Sequence, residues 1–553
     1  MIETIIEYNQ IPERDEITKI SEKFNLNSHV ATLLIQRIGF NINEISKFLD
    51  TDINNLYDPF IFKNIKECIE LFLSHLDKKN KILLYGDYDV DGITGTALLY
   101  NFIKDNFNTT GNIIYETADR FSEGYGLSIN TVNQAIKNNI SLIITIDCGT
   151  KDYKSIELAR ENNIDVIVLD HHEFGDEENK CNFLINPKNT EYDYPFKFLS
   201  GCAVVFKLIQ AIREYKNLNV DILKYLDLVS LSVCCDVVPL LDENRILLIN
   251  GLNVINSNPC MGLKALCDFV NIPNISVKDI LFKIGPMLNA PGRLYNAKIC
   301  VDLLVSNNID EIISIIAEIN NIYILRKELC NKTIKEISSD LENLNGRLPI
   351  FINEDWNIGI LGIIAARCVE KTNLPSLIMC SNNDGYIVGS ARSIEGINIL
   401  EIIELCSKDL YKFGGHKMAA GFVLKKENVN SFCENIEKQI KNKISTNNYK
   451  KKTLVDIKLP IGDINEKFYC DLKKISPFGE GNKKPIFESS ATFIDSKFFF
   501  NNTIFTLKDI SGIKFTGTLK NSNTKKISGE KNIIYSIENY NPLKIEILKY
   551  YSN

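Results

Sequence analysis

Between residues 81 and 186, short and nearly continuous apolar runs return at intervals: KILLYG (81–86), NIIYET (112–117), SLIITID (141–147), DVIVLD (165–170) and FLIN (183–186). Segments of helical periodicity, such as GITGTALLYNFIK and SINTVNQAIKNN, separate most of them. A strand covered on both faces needs no polar alternation, and covered strands alternating with helices predict a doubly wound parallel α/β sheet. Ahead of it, residues 1 to about 75 read as short helices with a turn at LYDPF.

From Asp310 to Leu344 the period changes. Ile312, Ile316, Ile319, Tyr323, Ile334, Ile337, Leu341 and Leu344 mostly recur at three or four residues, and Gly346 can end the helix they predict. That long helix is expected to connect two domains. A second α/β unit follows, and the basic stretch KQIKNKISTNNYKKK reads as a linker. Beyond it, ATFIDSKFFF, TIFTLKD and IKFTGTLK are β-rich with Gly and Asn turns, which predicts a small barrel. The expected organisation is an N-terminal helical region (1–75), a doubly wound domain (76–308), a connecting helix (309–346), a smaller α/β domain (347–442) and a barrel (455–553).

Size and composition fit this plan. A chain of 553 residues holds roughly three to four domains. No apolar run reaches the roughly 18 to 20 residues of a membrane span, and the acidic start MIETIIEYNQ lacks the basic flank of a signal peptide. The expected location is the cytoplasm. Fifteen cysteines without C-x2-C spacing predict buried thiols in a reducing compartment. A net charge of −7 argues against indiscriminate binding to polyanions. Nucleic acid stays open as a substrate, since metals or a local basic groove can attract it.

The candidate chemistry lies at the strand ends. In an open parallel sheet, ligands bind beyond the carboxyl ends of the strands. The first run ends in YGDYDVDG (Asp87, Asp89, Asp91), the third in TIDCG (Asp147) and the fourth in LDHHE (Asp170, His171, His172). LVSLSVCCDVVPL carries Asp236 after another apolar run. Any one of these aspartates can be a helix cap. Together with two of the chain's five histidines they form a ligand set for hard or borderline divalent cations, Mn2+ or Mg2+. Two such ions about 3.5 to 4 Å apart would neutralise the acids, generate hydroxide and clamp a phosphoryl group.

DYDVDG, IDCG, LDHHE and CDVVP resemble, in order and spacing, the four motifs of the DHH phosphoesterase superfamily. RFSEGYGLS (120–128), YPFKFLSGCAVVFKL (194–208), GPMLNAPGRL (285–294), GILGIIAAR (359–367), GSARS (389–393), FGGHKMAAG (413–421) and PFGEGNKKPIFE (477–488) narrow the resemblance to its RecJ family of single-strand-specific 5′ to 3′ DNA exonucleases; the alternatives are a DHH phosphodiesterase on short oligonucleotides or dinucleotides and a catalytically silent DNA-binding relative. The resemblance implies a DHH catalytic domain, a DHH-associated domain and an OB-like barrel. It implies metal ligation by Asp87, Asp89, Asp91, Asp147, His171 and Asp236, and His172 facing the scissile phosphate. It also implies 5′-phosphate capture by Arg120, Ser390 and Arg392, and backbone contacts from Arg293, His416 and the Gly414–Gly415 turn. The implied partner is single-stranded DNA with a 5′ end; whether a helicase or a single-strand-binding protein feeds it stays open, and the lack of a long exposed heptad repeat fits a monomer.

Three of these segments also make physical sense alone. A guanidinium fork between two serines can hold a phosphate in two bonds. The glycines of FGGH are expected to form a tight turn with close backbone approach. Tyr125, between Gly124 and Gly126, is set where an aromatic ring could stack on a base. The sequence departs from the family at Asn357, where a histidine follows tryptophan in relatives, at Pro291, at the approach to Arg120, and at Cys234–Cys235. Cys235 beside Asp236 is expected to be sensitive to oxidation.

Overall fold

Five apolar runs become five parallel strands, ordered Ile113–Thr117, Ile82–Gly86, Leu142–Ile146, Asp165–Leu169, Phe183–Ile185. The winding reverses between Ile82–Gly86 and Leu142–Ile146, whose residues are all buried. Such a reversal opens a crevice beyond the carboxyl ends of those two strands. The computed structural model describes residues 4–107, 110–120, 124–382, 385–444, 451–520, 522 and 527–551. Parts of three expected segments lie outside the described residues: 121–123 of RFSEGYGLS, 445–450 of the basic linker, and 521 and 523–526 of KNSNTKK.

The chain forms two units. One comprises Leu56–Val238 and Leu247–Lys451; the other comprises Thr4–Asn55, Pro239–Ile246 and Lys452–Asn553. In the first, helix Val90–Asn106 follows the leading strand and packs on helices Gly201–Tyr215 and Leu226–Cys235. The last of these is the run LVSLSVCC, so Asp236 leaves a helix C-terminus while the other acids leave strand ends. The connecting helix is shorter than expected. It runs over Ile309–Glu336, stops at Ile337, and a separate turn covers Ser338–Glu342. The Ser338 hydroxyl donates to the Lys335 carbonyl at 2.8 Å, and such local bonding competes with continued helix.

A second, mixed sheet is ordered Leu410–His416, Ala419–Lys425, Tyr386–Arg392, Ser376–Ser381, Ile350–Ile352. Strand Ser376–Ser381 alternates. Leu377 and Met379 join one core with Phe422, Phe432 and Ile436, while Ile378 and Cys380 join another with Trp356, Ile364 and Cys368. Helices on both faces explain why the strand reads as apolar throughout.

In the second unit, strands Phe487–Phe499, Asn502–Lys508, Lys514–Leu519, Lys544–Tyr551 and Gly529–Asn539 pair in sequence, and the last pairs back to the first. The barrel is closed. The short helices expected over residues 1–75 are present, but they divide between the two units after Asn55 and a strand precedes them. Thr4–Tyr8 is a strand paired with Lys451–Val455, and helices Arg14–Phe24, Ser28–Ile38 and Ile42–Leu49 share the barrel's core through Ile20, Leu33, Leu34 and Ile45. A pairing across more than 400 residues leaves no local signal in the chain. Arg245 anchors the inserted Pro239–Ile246 stretch. Its buried guanidinium donates to the carbonyls of Phe48 (2.9 Å), Lys474 (2.8 Å) and Ile475 (3.4 Å) and stacks over the Phe48 ring.

All fifteen cysteines are free thiols, most of them buried. No described helix is long and apolar enough to cross a membrane.

Candidate active site

Each strand-end acid stays tied to the neighbouring strand. The backbone N–H of Asp87 donates to Ile146 (3.2 Å), that of Asp147 to Leu169 (2.9 Å) and that of Asp170 to Ile185 (3.1 Å). The ladder therefore delivers three carboxylates to one edge. Asp89 is a helix cap, its Oδ1 accepting from the N–H of Asp91 (2.9 Å) and Gly92 (3.3 Å). Asp91 accepts from the N–H groups of Gly201 (2.6 Å) and Cys202 (2.7 Å) and from the Ser232 hydroxyl (2.6 Å). It thereby ties the N-terminus of one helix to the flank of another, and capping and clustering coexist.

Three overlapping groups of donors result: Asp87, Asp89 and Asp147; Asp91, His171 and Asp236; and Asp147, His171 and His172. In each, one atom per residue lies within 4.8 Å of the others. His171 Nε2 lies 3.1 Å from Asp147 Oδ1, 3.6 Å from Asp236 Oδ2 and 3.8 Å from Asp91 Oδ2. Asp87 Oδ1, Asp147 Oδ1 and His171 Nε2 are buried with no hydrogen-bond partner. Orphaned acceptors at such a density are costly unless a cation completes them, so this donor set fits one. Burial and mutual repulsion hold Asp87, Asp147 and Asp236 well above the ordinary carboxylate value and push Asp91 up to about 6. Burial and His172 push His171 down to about 3, which leaves the neutral, ligating form of the imidazole.

His172 is oriented differently. Its Nδ1 lies 2.8 Å from Asp170 Oδ1, and Asp170 also accepts from the N–H groups of His171 (2.7 Å), His172 (3.2 Å) and Thr150 (3.0 Å). Although burial opposes it, those hydrogen bonds and the two histidines keep the Asp170 carboxyl well below its ordinary range. The His416 ring stacks towards that of His172, with centroids 6.5 Å apart and planes at 22°.

A cluster of arginines joins this one. Arg120 lies over the Tyr88 ring at 4.2 Å. Arg392 ends its strand, and its Nη1 donates to Ser390 Oγ at 3.1 Å. Arg293 sits in the short helix Pro291–Leu294 with its Nε buried and unpartnered. Burial, with Arg120, Arg326 and Arg392 nearby, lowers Arg293 to about 10, and Asp89 opposes that shift. A Cβ on Gly359 would lie 1.5 Å from the Arg293 carbonyl oxygen, so only glycine allows this approach. Asn357 takes part in it by accepting from the Gly359 N–H at 2.8 Å.

Gly414 and Gly415 are not the turn. They lie within strand Leu410–His416, and the reversal falls on Lys417 and Met418 because His416 pairs with Ala419. Cys235 is not a poised thiolate. Burial, Cys234 and the neighbouring acids hold its thiol well above the ordinary value, the opposite of what makes a cysteine reactive. Tyr125 presents a half-exposed ring, and its hydroxyl reaches Asp147 and His172.

The sequence reading missed Arg326, Lys327 and Arg367. With Arg293 and Asn289 they line a cavity of about 250 Å³, and the Arg326 Nε is buried without a partner. The run LRKELCNK looks like a solvated helix face. Only the packing of Ile309–Glu336 against the neighbouring helices turns one side of it inward.

Family models match three parts of the chain: residues 81–233 the DHH family, N-terminal domain, residues 344–442 the DHHA1 domain, and residues 455–539 the RecJ OB domain. The chain is 32% identical over 483 residues to the single-stranded-DNA-specific exonuclease RecJ of Bacillus subtilis (strain 168), covering 86% of this chain but 60% of that protein. To the protein of the same name from Escherichia coli (strain K12) it is 30% identical over 452 residues, 77% of each. The crystal structure of RecJ in complex with Mn2+ from Thermus thermophilus superposes with a TM-score of 0.85 at 22% identity, over 100% of this chain and 80% of that one.

Proposed function

This chain belongs to the RecJ family, and from that premise we propose that it is a metal-dependent 5′ to 3′ exonuclease that degrades single-stranded DNA to 5′-mononucleotides in repair and recombination. The reading rests on one observation above all. Buried carboxylate oxygens of Asp87 and Asp147 and the His171 Nε2, all without partners, stand beside arginines whose buried Nε atoms also lack them, with Arg293 under the influence of Asp89 and of its fellow arginines. A phosphodiester that arrives with divalent cations is complementary to the two together.

Asp87, Asp89 and Asp147 would hold one Mn2+ or Mg2+ ion, and Asp91, His171 and Asp236 a second. When bound, the ions supply Lewis-acid charge at the phosphoryl oxygens and offset the acids. His172, oriented by Asp170, faces the scissile phosphate and donates a hydrogen bond to it. Arg293 and His416 hold the backbone on either side of that bond. Arg120, Ser390 and Arg392 grip the terminal 5′ phosphate. Tyr125 stacks on a base, and Arg326, Lys327 and Arg367 carry phosphates further along. None of these contacts reads a base edge, so the enzyme tolerates any sequence. A helicase or a single-strand-binding protein supplies the strand, the working form is a monomer, and the substrate puts the enzyme in the cytoplasm.

The test is nucleotide release from a single-stranded DNA of about 30 nucleotides, labelled at either end, with Mn2+ or Mg2+. A blunt duplex, a dinucleotide and an Asp89→Asn variant run alongside. Mononucleotides released from the 5′ end, and lost with chelator or in the variant, support the reading. Hydrolysis confined to the dinucleotide, or binding without cleavage, overturns it.

A further inference from the structure

Tyr125 is held more firmly than a stacking platform requires. The glycines on either side of it have φ of +86° and +88°, a backbone that side chains rarely adopt. Asp152 Oδ2 accepts from the Leu127 N–H at 2.6 Å, and a Cβ at Gly126 would lie 2.5 Å from Asp152 Oδ1. The Gly126 carbonyl accepts from the Tyr85 hydroxyl at 3.3 Å. Main-chain freedom is thus removed after Tyr125, and the side chain is committed to one direction.

That direction is inward. The ring stays half-exposed while the hydroxyl donates to the Asp147 carbonyl at 3.0 Å. The same oxygen lies 2.9 Å from His172 Nδ1 and 3.3 Å from Nε2, with the two ring centroids 5.2 Å apart. A phenol has one proton to give. Once it goes to the Asp147 carbonyl, only lone pairs face the imidazole; nearly equidistant from both ring nitrogens, the oxygen lies against the ring and limits its tilt, while Asp170 fixes Nδ1 and Nε2 stays free for the phosphate. Two oxygens then restrain His172: the Asp170 carboxylate and the Tyr125 phenol.

We propose that the Tyr125 hydroxyl is a positioning group for His172, a role separate from any stacking by its ring and resting on the exonuclease reading above. A base on the open ring face and the imidazole at the other end of the same side chain are thereby linked through one rigid residue. Seating of the terminal nucleotide and alignment of His172 become a single event.

Removing only the hydroxyl separates the two roles. Single-turnover and steady-state release from a 5′-phosphorylated strand are measured at saturating Mn2+ for wild type, Tyr125→Phe, Tyr125→Leu, His172→Ala and the Phe/Ala double variant. Mn2+ affinity is read calorimetrically for each. Tyr125→Phe is expected to lower kcat about tenfold with KM within about twofold, as loss of an orienting partner does. Tyr125→Leu should raise KM as well. In the His172→Ala background, Tyr125→Phe should cost nothing more, because its effect passes through that ring.

Full kcat in Tyr125→Phe overturns the proposal, as does an effect confined to KM. An equal loss with and without His172 also overturns it, and so does weakened Mn2+ binding, which would route the effect through Asp147. Wild-type protein that releases nothing from the strand fails the exonuclease reading first, a result distinguishable from all of these, and this inference falls with it.

Discussion

Two groups of like charges share the first unit, and they are perturbed in opposite senses. Among the acids, burial and repulsion raise Asp87, Asp91, Asp147 and Asp236; among the arginines, burial and repulsion lower Arg293 and Arg392. Neither group is neutralised by the other, although Arg293 feels Asp89. A structural ion-pair network would have interleaved the signs. Keeping them apart leaves one half that requires cations and another that requires anions, and that separation marks a site built for a ligand carrying both.

Breaking the acidic half should have the largest effect. Asp147 has a left-handed backbone, which asparagine tolerates, so Asp147→Asn removes charge with little strain. Nucleotide release is expected to fall on the order of 10³-fold, and thermal melting in chelator should move up because repulsion is relieved. On the cationic half, Arg293→Gln should lower kcat/KM about 100-fold, with Mn2+ affinity unchanged by calorimetry. Gly359→Ala probes the seat of that arginine. A Cβ there meets the Arg293 carbonyl, so melting should drop by a destabilisation of about 1–3 kcal/mol, with reduced activity even at saturating metal.

Smaller effects sharpen the contrast. Arg326→Ala should weaken strand binding a few-fold and flatten the salt dependence by about 0.7 in slope, the share of one phosphate contact. The smallest is a pH effect on metal-free protein. Asp91 has a folded pKa raised to about 6 from 3.8, so its contribution to stability is present below the lower value and lost as pH rises through the upper one. Mn2+ supplies what is lost, so the rise in melting temperature on adding Mn2+ should be larger at pH 7 than at pH 5. An equal shift at both would mean that the carboxylates are not titrating in that window.

Much of the acidic half was legible because its residues are local punctuation. An apolar run ending in Asp is visible wherever a buried strand stops, and DHH brings two imidazoles to one such end. The cationic half was only partly legible. Arg120, Arg293 and Arg392 stand in recognisable segments, whereas Arg326 and Arg367 lie on helices whose inward faces are decided by packing. The GGH segment was misjudged for a related reason. Glycine pairs imply turns by propensity, but cross-strand pairing with Gly421 and Ala420 drew these two into a strand. The short helices of the first 55 residues were legible, but strand Thr4–Tyr8 and the packing on the barrel were not, because the partner that covers those apolar faces lies at the other end of the chain.

The second unit is assembled from three separate stretches of chain, and Pro239–Ile246 begins only three residues after Asp236. A gene shortened before residue 452 would therefore not yield a tidy catalytic half. It would leave three helices without the barrel that covers them and a loose segment immediately after a candidate metal ligand. Modular trade in the barrel is thus closed to this chain: to be lost or exchanged, all three stretches would have to go at once.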